Sequence, residues 1–318
     1  MTTKQKTATI FGGTGFVGKQ IVAAMGRAGW TVKIATRVPE RGNALKPCGA
    51  PGQIVPVYCD YNDPESIADA VKGADYVVNC IGILFQKHKN GFQKAHAQIP
   101  ESIAKACRAA PVKRFVHISA LGVDKATSRY AATKRAGEVA VREAFPDATI
   151  LRPSVIFGPE DRFFNMFAEL ARYVPVLPLI GGGKTKFQPV YVGDVAAAVM
   201  AGLSRADASG RTYELGGPEI VTFQEIYARL FSLTGRSRTL LSLPFWVAKI
   251  DAAFLSLFPT PLLTPDQVES LKTDTVVDKN ALTFADLGVV PTGMNAILPG
   301  YLNRFYPPER FASRTIVE

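Results

Sequence analysis

The sequence predicts a doubly wound α/β fold, a parallel sheet covered by helices on both faces, followed by a smaller C-terminal lobe. Three observations point there. Apolar strand-like runs alternate with helical stretches through the first half. A glycine-rich turn follows the first of those runs, and after Pro153 the rhythm breaks as Gly and Pro become frequent, as in Pro175-Val-Leu-Pro-Leu-Ile-Gly-Gly-Gly. Strands buried on both faces read as nearly unbroken apolar runs, and strands separated by helices pair in parallel.

Taken in order, Thr7–Phe11 is the first predicted strand and 16–28 the first helix. Strands follow over 31–36, 54–58 and 76–80, with helical patterns over 64–72 and 98–109 between and after them. A fifth strand over 114–119, a helix over 129–144 and a sixth strand over 149–152 complete the alternation. A strand at 212–215 and helices near 194–203 and 222–233 suggest the second lobe. The expected division is a nucleotide-binding domain over 1–158 and a lobe over 159–318, with segments such as 186–216 packing back on the first domain.

Composition bounds the function. The 318 residues (34.3 kDa), 47% hydrophobic and 20% charged, describe an ordinary globular chain rather than a disordered one. No apolar run reaches the roughly 20 residues that span a bilayer. Met1-Thr-Thr-Lys-Gln-Lys leads directly into the first strand, so the expectation is a chain without a leader, folding in a bacterial cytoplasm. Cys48, Cys59, Cys80 and Cys107, like His88, His96 and His117, show no paired spacing, which argues against a disulfide framework and a metal site. The net charge of +10 suits anionic lipid surfaces, nucleic acids or acidic partners, and, being spread over the chain, equally suits a solvated surface. No basic block interleaved with aromatics marks a nucleic-acid module.

The first turn reads Gly12-Gly13-Thr14-Gly15-Phe16-Val17-Gly18. Glycines between a strand and a helix let the backbone turn tightly and approach a pyrophosphate, which the positive helix N-terminus attracts. Gly12, Thr14, Gly15, Phe16, Val17 and Gly18 are therefore candidate cofactor residues of a Rossmann-type site. NAD-specific sites place an Asp or Glu about 20 residues on, at the end of the second strand. Here Thr36-Arg37 occupies that place. An arginine fork pairs with a 2′-phosphate that a carboxylate would repel, so the expected ligand is NADP(H). Asp60, ending the third strand, would lie near the adenine, although a strand-end Asp also serves as a helix cap. Ile81 and Gly82, past the fourth strand, would lie beneath the adenosine.

Ser119 ends the fifth strand, and Tyr130-Ala-Ala-Thr-Lys134 opens the next helix, with Tyr and Lys on one helix face. A nearby ammonium lowers a phenol's pKa, so the Tyr can exchange a proton with a carbonyl to which the Ser donates a hydrogen bond. This set resembles the short-chain dehydrogenase/reductases in their extended or atypical branch. Ser119 precedes Tyr130 by only 11 positions, a shorter stretch than active extended members usually carry for substrate contacts. Ser119, Tyr130 and Lys134 are thus vestigial catalytic candidates, and none is assigned a catalytic role with assurance.

The stretches Glu143-Ala-Phe-Pro-Asp147, Arg152-Pro-Ser-Val-Ile-Phe-Gly-Pro-Glu-Asp-Arg-Phe163 and Gln188-Pro-Val-Tyr-Val-Gly-Asp194 narrow the resemblance. In this order they resemble the NADPH-binding accessory subunits of respiratory complex I, including the α-proteobacterial forms, over about residues 7–290. The resemblance implies a non-catalytic subunit holding NADPH as a structural ligand, with Gly12, Gly15, Gly18, Arg37, Tyr130, Lys134 and Pro153 among its contacts; Val155 joins that candidate set. It also implies other complex I subunits as partners, at the junction of the peripheral and membrane arms, and the cytoplasmic face of a bacterial inner membrane as location. The alternatives are a free NADP-dependent reductase or sugar-nucleotide epimerase using Tyr130 and Lys134, and a redox-sensing regulator.

One further segment bears on partners. Between Pro244 and Pro259 lie 14 residues, too few to span a bilayer. On a helical wheel Trp246, Val247, Ile250, Ala253, Phe254, Leu257 and Phe258 cluster on one side, while Phe245 and Leu255 fall off that stripe. Such a helix either lies against a membrane surface or a membrane subunit, or packs within the small lobe.

Overall fold

The computed structural model describes residues 5–86, 90–256, 258 and 261–307. The chain begins as a βαβ unit of β1 (Thr7–Phe11), α1 (Phe16–Arg27) and β2 (Thr31–Thr36). A short α2 (Glu40–Asn43) leads to β3 (Ile54–Tyr58), and α3 (Pro64–Val71) returns the chain to β4 (Tyr76–Asn79). Asp63 caps α3 by accepting the Glu65 N–H, and Pro64 costs nothing in a first turn, where its missing N–H would be unpaired anyway. After one turn of α4 (Gly91–Gln93), a π-helical stretch over Lys94–Gln98 runs into α5 (Ile99–Ala109). β5 (Arg114–Ile118), α6 (Arg129–Ala144) and β6 (Thr149–Pro153) follow.

Beyond β6 lie β7 (Ile156–Phe157), α7 (Phe163–Tyr173), β8 (Val176–Ile180), β9 (Lys186–Phe187) and β10 (Val190–Tyr191). The chain then returns to the main sheet through α8 (Val192–Ser204) and β11 (Thr212–Leu215) before β12 (Val221–Thr222), α9 (Phe223–Thr234) and β13 (Thr239–Leu243). Three helices close the described fold: α10 (Phe245–Leu255), α11 (Pro265–Ser270) and α12 (Met294–Leu302).

The main sheet has seven parallel strands in the order β11-β6-β5-β4-β1-β2-β3. Strand order reverses between β1 and β4, which opens a crevice at the carboxyl ends of these two strands, where doubly wound folds bind ligands. One face is covered by α1 and α8, through Ile21, Val22, Met25, Val195 and Val199. The other is covered by α3, α5 and α6, through Ile67, Val71, Ile103, Cys107 and Val141. The strand at 212–215, grouped with the lobe's elements by its place in the sequence, pairs with β6 as the seventh strand, Tyr213 opposite Leu151.

The small lobe has its own aromatic core, in which Phe157, Phe164, Phe187, Phe223 and Tyr227 are all buried. A smaller cluster of Ile180, Ala248, Ala252 and Val268 joins α10 to α11. α10 thus turns Ala248 and Ala252 inward, with Phe245 half-buried against their cluster, and three large side chains outward: Trp246 is 68% exposed, Ile250 62% and Phe254 67%. This removes the expectation of a stripe packed within the lobe. Val247 is half-buried and Ala253 exposed, while Leu257, Pro259 and His88 lie outside the described residues. No helix among the described residues is long and apolar enough to cross a membrane.

Candidate functional site

The glycine turn sits at the crevice between β1 and β4. Gly12 has φ +80°, and a Cβ there would approach the Cys80 carbonyl carbon at 3.0 Å, so β1 and the end of β4 meet through bare backbone. A Cβ at Gly18 would fall 2.2 Å from the Gly12 oxygen, so only glycine lets α1 sit against its own turn. Gly15 differs: it is exposed, and a Cβ there would touch only the Gly12 oxygen, at 3.3 Å. Its bare surface faces outward, where a pyrophosphate would approach. α1 has no side-chain cap and no acidic residue in its first turn, which leaves its N–H groups and positive dipole end for an anion. Thr14, Phe16 and Val17 are half-buried around this turn.

At the end of β2 the Arg37 side chain is exposed, with its guanidinium 5.6 Å from the centre of the Tyr61 ring. Tyr61 is held in turn by donating its hydroxyl to the Ala35 carbonyl at 2.7 Å. Among the described residues no carboxylate forms an ion pair with Arg37. Asp60 is half-buried, and one of its oxygens accepts the Asn62 N–H at 2.9 Å and the Asn62 side-chain amide at 2.8 Å. Asp60 thus closes a turn, and the helix cap expected as its alternative role falls to Asp63. The Ile81 N–H donates to the Asn79 side chain at 3.1 Å, which shapes the loop that carries Gly82.

Ser119, Lys134 and Gly82 converge at the ends of β4 and β5. Lys134 is buried, and its Nζ donates to the Ile118 carbonyl at 3.2 Å. A Cβ on Gly82 would stand 3.3 Å from that Nζ. Ser119 is also buried, and its Oγ meets no hydrogen-bond partner. A buried hydroxyl without a partner is costly unless something else satisfies it. Together with the uncapped α1 and the unpaired Arg37, this orphaned donor fits a polar nucleotide in the crevice. Pro153 and Val155, at the end of β6, use their carbonyls to accept the Leu121 and Val190 N–H groups, both at 2.9 Å.

The acid–base expectation for Tyr130 needs correction. Its phenol is pushed up to about 12 by burial, with no lowering from Lys134. The Lys134 charge acts instead on Cys80, His96 and His117, because the ammonium points at the strand ends. Burial brings Lys134 itself down to about 8, against the opposing pull of Glu138 and Cys80.

Two neighbours escaped the sequence reading. His96, fully buried, stands edge-on to the Tyr130 ring at 5.1 Å and stacks on Phe92 at 5.2 Å. Its Nδ1 lies 3.0 Å from the Thr133 hydroxyl and its Nε2 3.1 Å from the Ile83 carbonyl. Asp266 of α11 accepts the N–H groups of Arg129 and Tyr130 at 2.7 and 3.1 Å. A lone histidine in a helical stretch and an aspartate 136 positions from Tyr130 carry no local pattern.

A parallel sheet with its switch point at a glycine turn, and a Ser/Tyr/Lys set beside it, defines a nucleotide-binding protein of the short-chain dehydrogenase type. The profile of the NAD dependent epimerase/dehydratase family matches residues 8–216. The subunit 9 protein of the NADH dehydrogenase (ubiquinone) 1 alpha subcomplex from Arabidopsis thaliana is 39% identical over 297 residues, which cover 89% of this chain and 74% of that protein. Its Mus musculus counterpart is 36% identical over 289 residues, covering 90% and 76%. Among solved structures, an Escherichia coli NADPH-dependent quinone oxidoreductase complexed with NADPH superposes with a TM-score of 0.74 at 20% identity, covering 93% of this chain and 99% of that one. The last similarity concerns the fold alone. The chain belongs to the NAD dependent epimerase/dehydratase family and, within it, to the family of these subunit 9 proteins of NADH:ubiquinone oxidoreductase.

Proposed function

We propose that this chain is an accessory subunit of respiratory complex I that holds NADPH as a structural ligand and has no turnover of its own. The observation that carries the reading is the 39% identity with a complex I subunit across 89% of the chain. Arg37, unpaired where NAD sites keep a carboxylate, supports the 2′-phosphate of NADP(H). The bare turn at Gly15, the orphaned Ser119 hydroxyl and the buried Lys134 support a resident nucleotide rather than a passing one. NADPH would supply hydride chemistry if a substrate met it. The chain's own residues bind and seat it: Gly12, Gly15 and Gly18 through backbone, Arg37 through charge, and Ser119, Tyr130 and Lys134 at the nicotinamide end. A ligand bound only by the folded state stabilises it by about 2.7 kcal/mol at a hundred times its dissociation constant.

In this reading the outward face of α10 meets the membrane arm or its lipid, on the cytoplasmic face of a bacterial inner membrane, near the junction of the two arms. The exposed Trp246, Ile250 and Phe254 and the +10 charge support it. Mass spectrometry of detergent-solubilised complex from the native organism tests the assignment. The chain should be found with complex I subunits and release NADPH on denaturation; a chain that fractionates apart from them, or releases NADH, overturns it.

A second reading is favoured by one observation, the convergence of an unpartnered Ser119 hydroxyl with Lys134 beside the crevice. It is an NADP-dependent reductase or epimerase. Sustained NADPH oxidation abolished by Tyr130→Phe would establish it.

A further inference from the structure

Between the small lobe and the N-terminus of α6 lies a cleft of about 900 Å³, within the size range of small-molecule sites. Its lining combines two chemistries. Phe85 and Phe258 present aromatic surface, with the buried Phe92 ring behind it, and Arg129, Lys249 and Lys272 bring positive charge. The two carboxylates of the lining are already engaged. Asp266 accepts the Arg129 and Tyr130 N–H groups, and Glu269 lies 2.9 Å from the Lys249 Nζ and 3.0 Å from the Lys272 Nζ. Glu269 also accepts the Thr127 hydroxyl at 3.1 Å, and these donors hold its carboxyl down at about 2. One carboxylate is therefore shared by two ammonium groups, and Arg129 forms no ion pair among the described residues. The cleft keeps a positive excess.

The cleft is also continuous with the apolar face of α10. Phe258 lines the cleft and is 55% exposed, and its ring stands 6.4 Å from that of Phe254 on the outward stripe. A purely polar anion would neutralise the cations and leave the aromatic wall wet. A purely apolar guest would bury charge without a partner, which is costly. A molecule with an anionic head and an apolar tail satisfies both walls. We propose that this cleft binds one anionic phospholipid, its phosphate at Arg129, Lys249 and Lys272 and an acyl chain against Phe85 and Phe258, leading out along α10. The inference goes beyond the nucleotide and complex I reading and does not depend on it.

Isothermal titration calorimetry of the purified full chain, without detergent, tests the proposal with dihexanoylphosphatidylglycerol below its micelle concentration. Dihexanoylphosphatidylcholine and glycerol phosphate serve as zwitterionic and headgroup-only probes. Saturable one-to-one binding is expected for the anionic lipid, with about tenfold weaker binding or worse for the other two, as loss of one charge-assisted or apolar component implies. Arg129→Glu should weaken the anionic lipid about tenfold and Lys272→Gln should weaken it measurably, both with unchanged circular dichroism. Ile250→Asp, on the stripe outside the cleft, should leave the short lipid's affinity unaltered while reducing sedimentation with phosphatidylglycerol vesicles. The proposal is overturned by absence of saturable binding, by either comparison probe binding as tightly as the anionic lipid, by indifference to both Arg129→Glu and Lys272→Gln, or by loss of short-lipid binding in Ile250→Asp.

Discussion

The Asp266 carboxylate accepts the Tyr130 N–H at 3.1 Å, so the small lobe grips the backbone of the residue whose ring stands edge-on to Phe92 and His96. The other Asp266 oxygen takes the Arg129 N–H at 2.7 Å, and Ser128 caps the same end by accepting the Ala131 N–H. A carboxylate is well placed there, because the first turn of a helix carries unpaired N–H groups and the positive end of its dipole. From α11 the contacts continue through Glu269 to Lys249 on α10. The N-terminus of α6 and the outward-facing helix are thus joined by a few polar links.

Removing that grip should loosen the lobe first. Asp266→Ala deletes hydrogen bonds to a charged acceptor worth roughly 1.5–3 kcal/mol, and should lower the melting temperature by several degrees. Amide exchange followed by mass spectrometry should then speed up in α11 and α10 before the main sheet. Uniform exchange across both lobes would show that the link carries no such coupling.

Nucleotide preference should rest on Arg37. Arg37→Glu replaces a fork that pairs with a 2′-phosphate by a group that repels it and favours ribose hydroxyls. Loss of the contact alone is worth about 1.5–3 kcal/mol, roughly ten- to a hundredfold in affinity. Titration of nucleotide-free protein with NADPH and NADH should show the order of affinities reversed; an unchanged NADPH affinity would place the 2′-phosphate elsewhere.

Acid should destabilise the chain early. Burial brings His96 and His117 down to about 3, with Lys134 adding to the effect at both. Their folded values lie below the unfolded one near 6.5, so the unfolded chain takes up protons first as pH falls. Their contribution is full above about pH 6.5 and is lost progressively towards about pH 3. Urea unfolding at pH steps across this window should trace the decline, and the double variant His96→Gln, His117→Gln should flatten it. A native chain whose stability holds until the carboxylates titrate would contradict the assignment.

Tyr130 and Lys134 should separate in their effects. Only 11 positions separate Ser119 from Tyr130, which leaves few residues to orient a substrate, and the wild-type chain should show no sustained NADPH oxidation with simple carbonyls or quinones. Lys134→Ala should release nucleotide more readily and lower thermal stability. Retention of nucleotide by Lys134→Ala at the wild-type level would detach this lysine from the site.

Much of the site was legible because it is local. The glycine turn, Arg37 at a strand end and Tyr130 four residues before Lys134 are short-range patterns, and the six early strands announce themselves by apolar runs. What escaped depends on distance or on direction. Asp266 reaches Tyr130 across 136 positions, and its own helix has only six residues. Lys134 shares a helix face with Tyr130, yet sequence spacing does not reveal that its ammonium turns to the Ile118 carbonyl and leaves the phenol unassisted. For α10, apolar residues occur on every side, so the pattern named the stripe but left open whether it points in or out. Two buried alanines decided that.

The outward rings of α10 also bear on the time before assembly. Folding of the lobe proceeds without burying Trp246, Ile250 or Phe254, so a newly made subunit is complete and adhesive at once. If α10 is the docking face proposed above, its fate as an orphan becomes a race between capture by its partner and clumping with its siblings. Supply must therefore be matched to demand, and excess copies become work for chaperones and proteases even though each one is correctly folded.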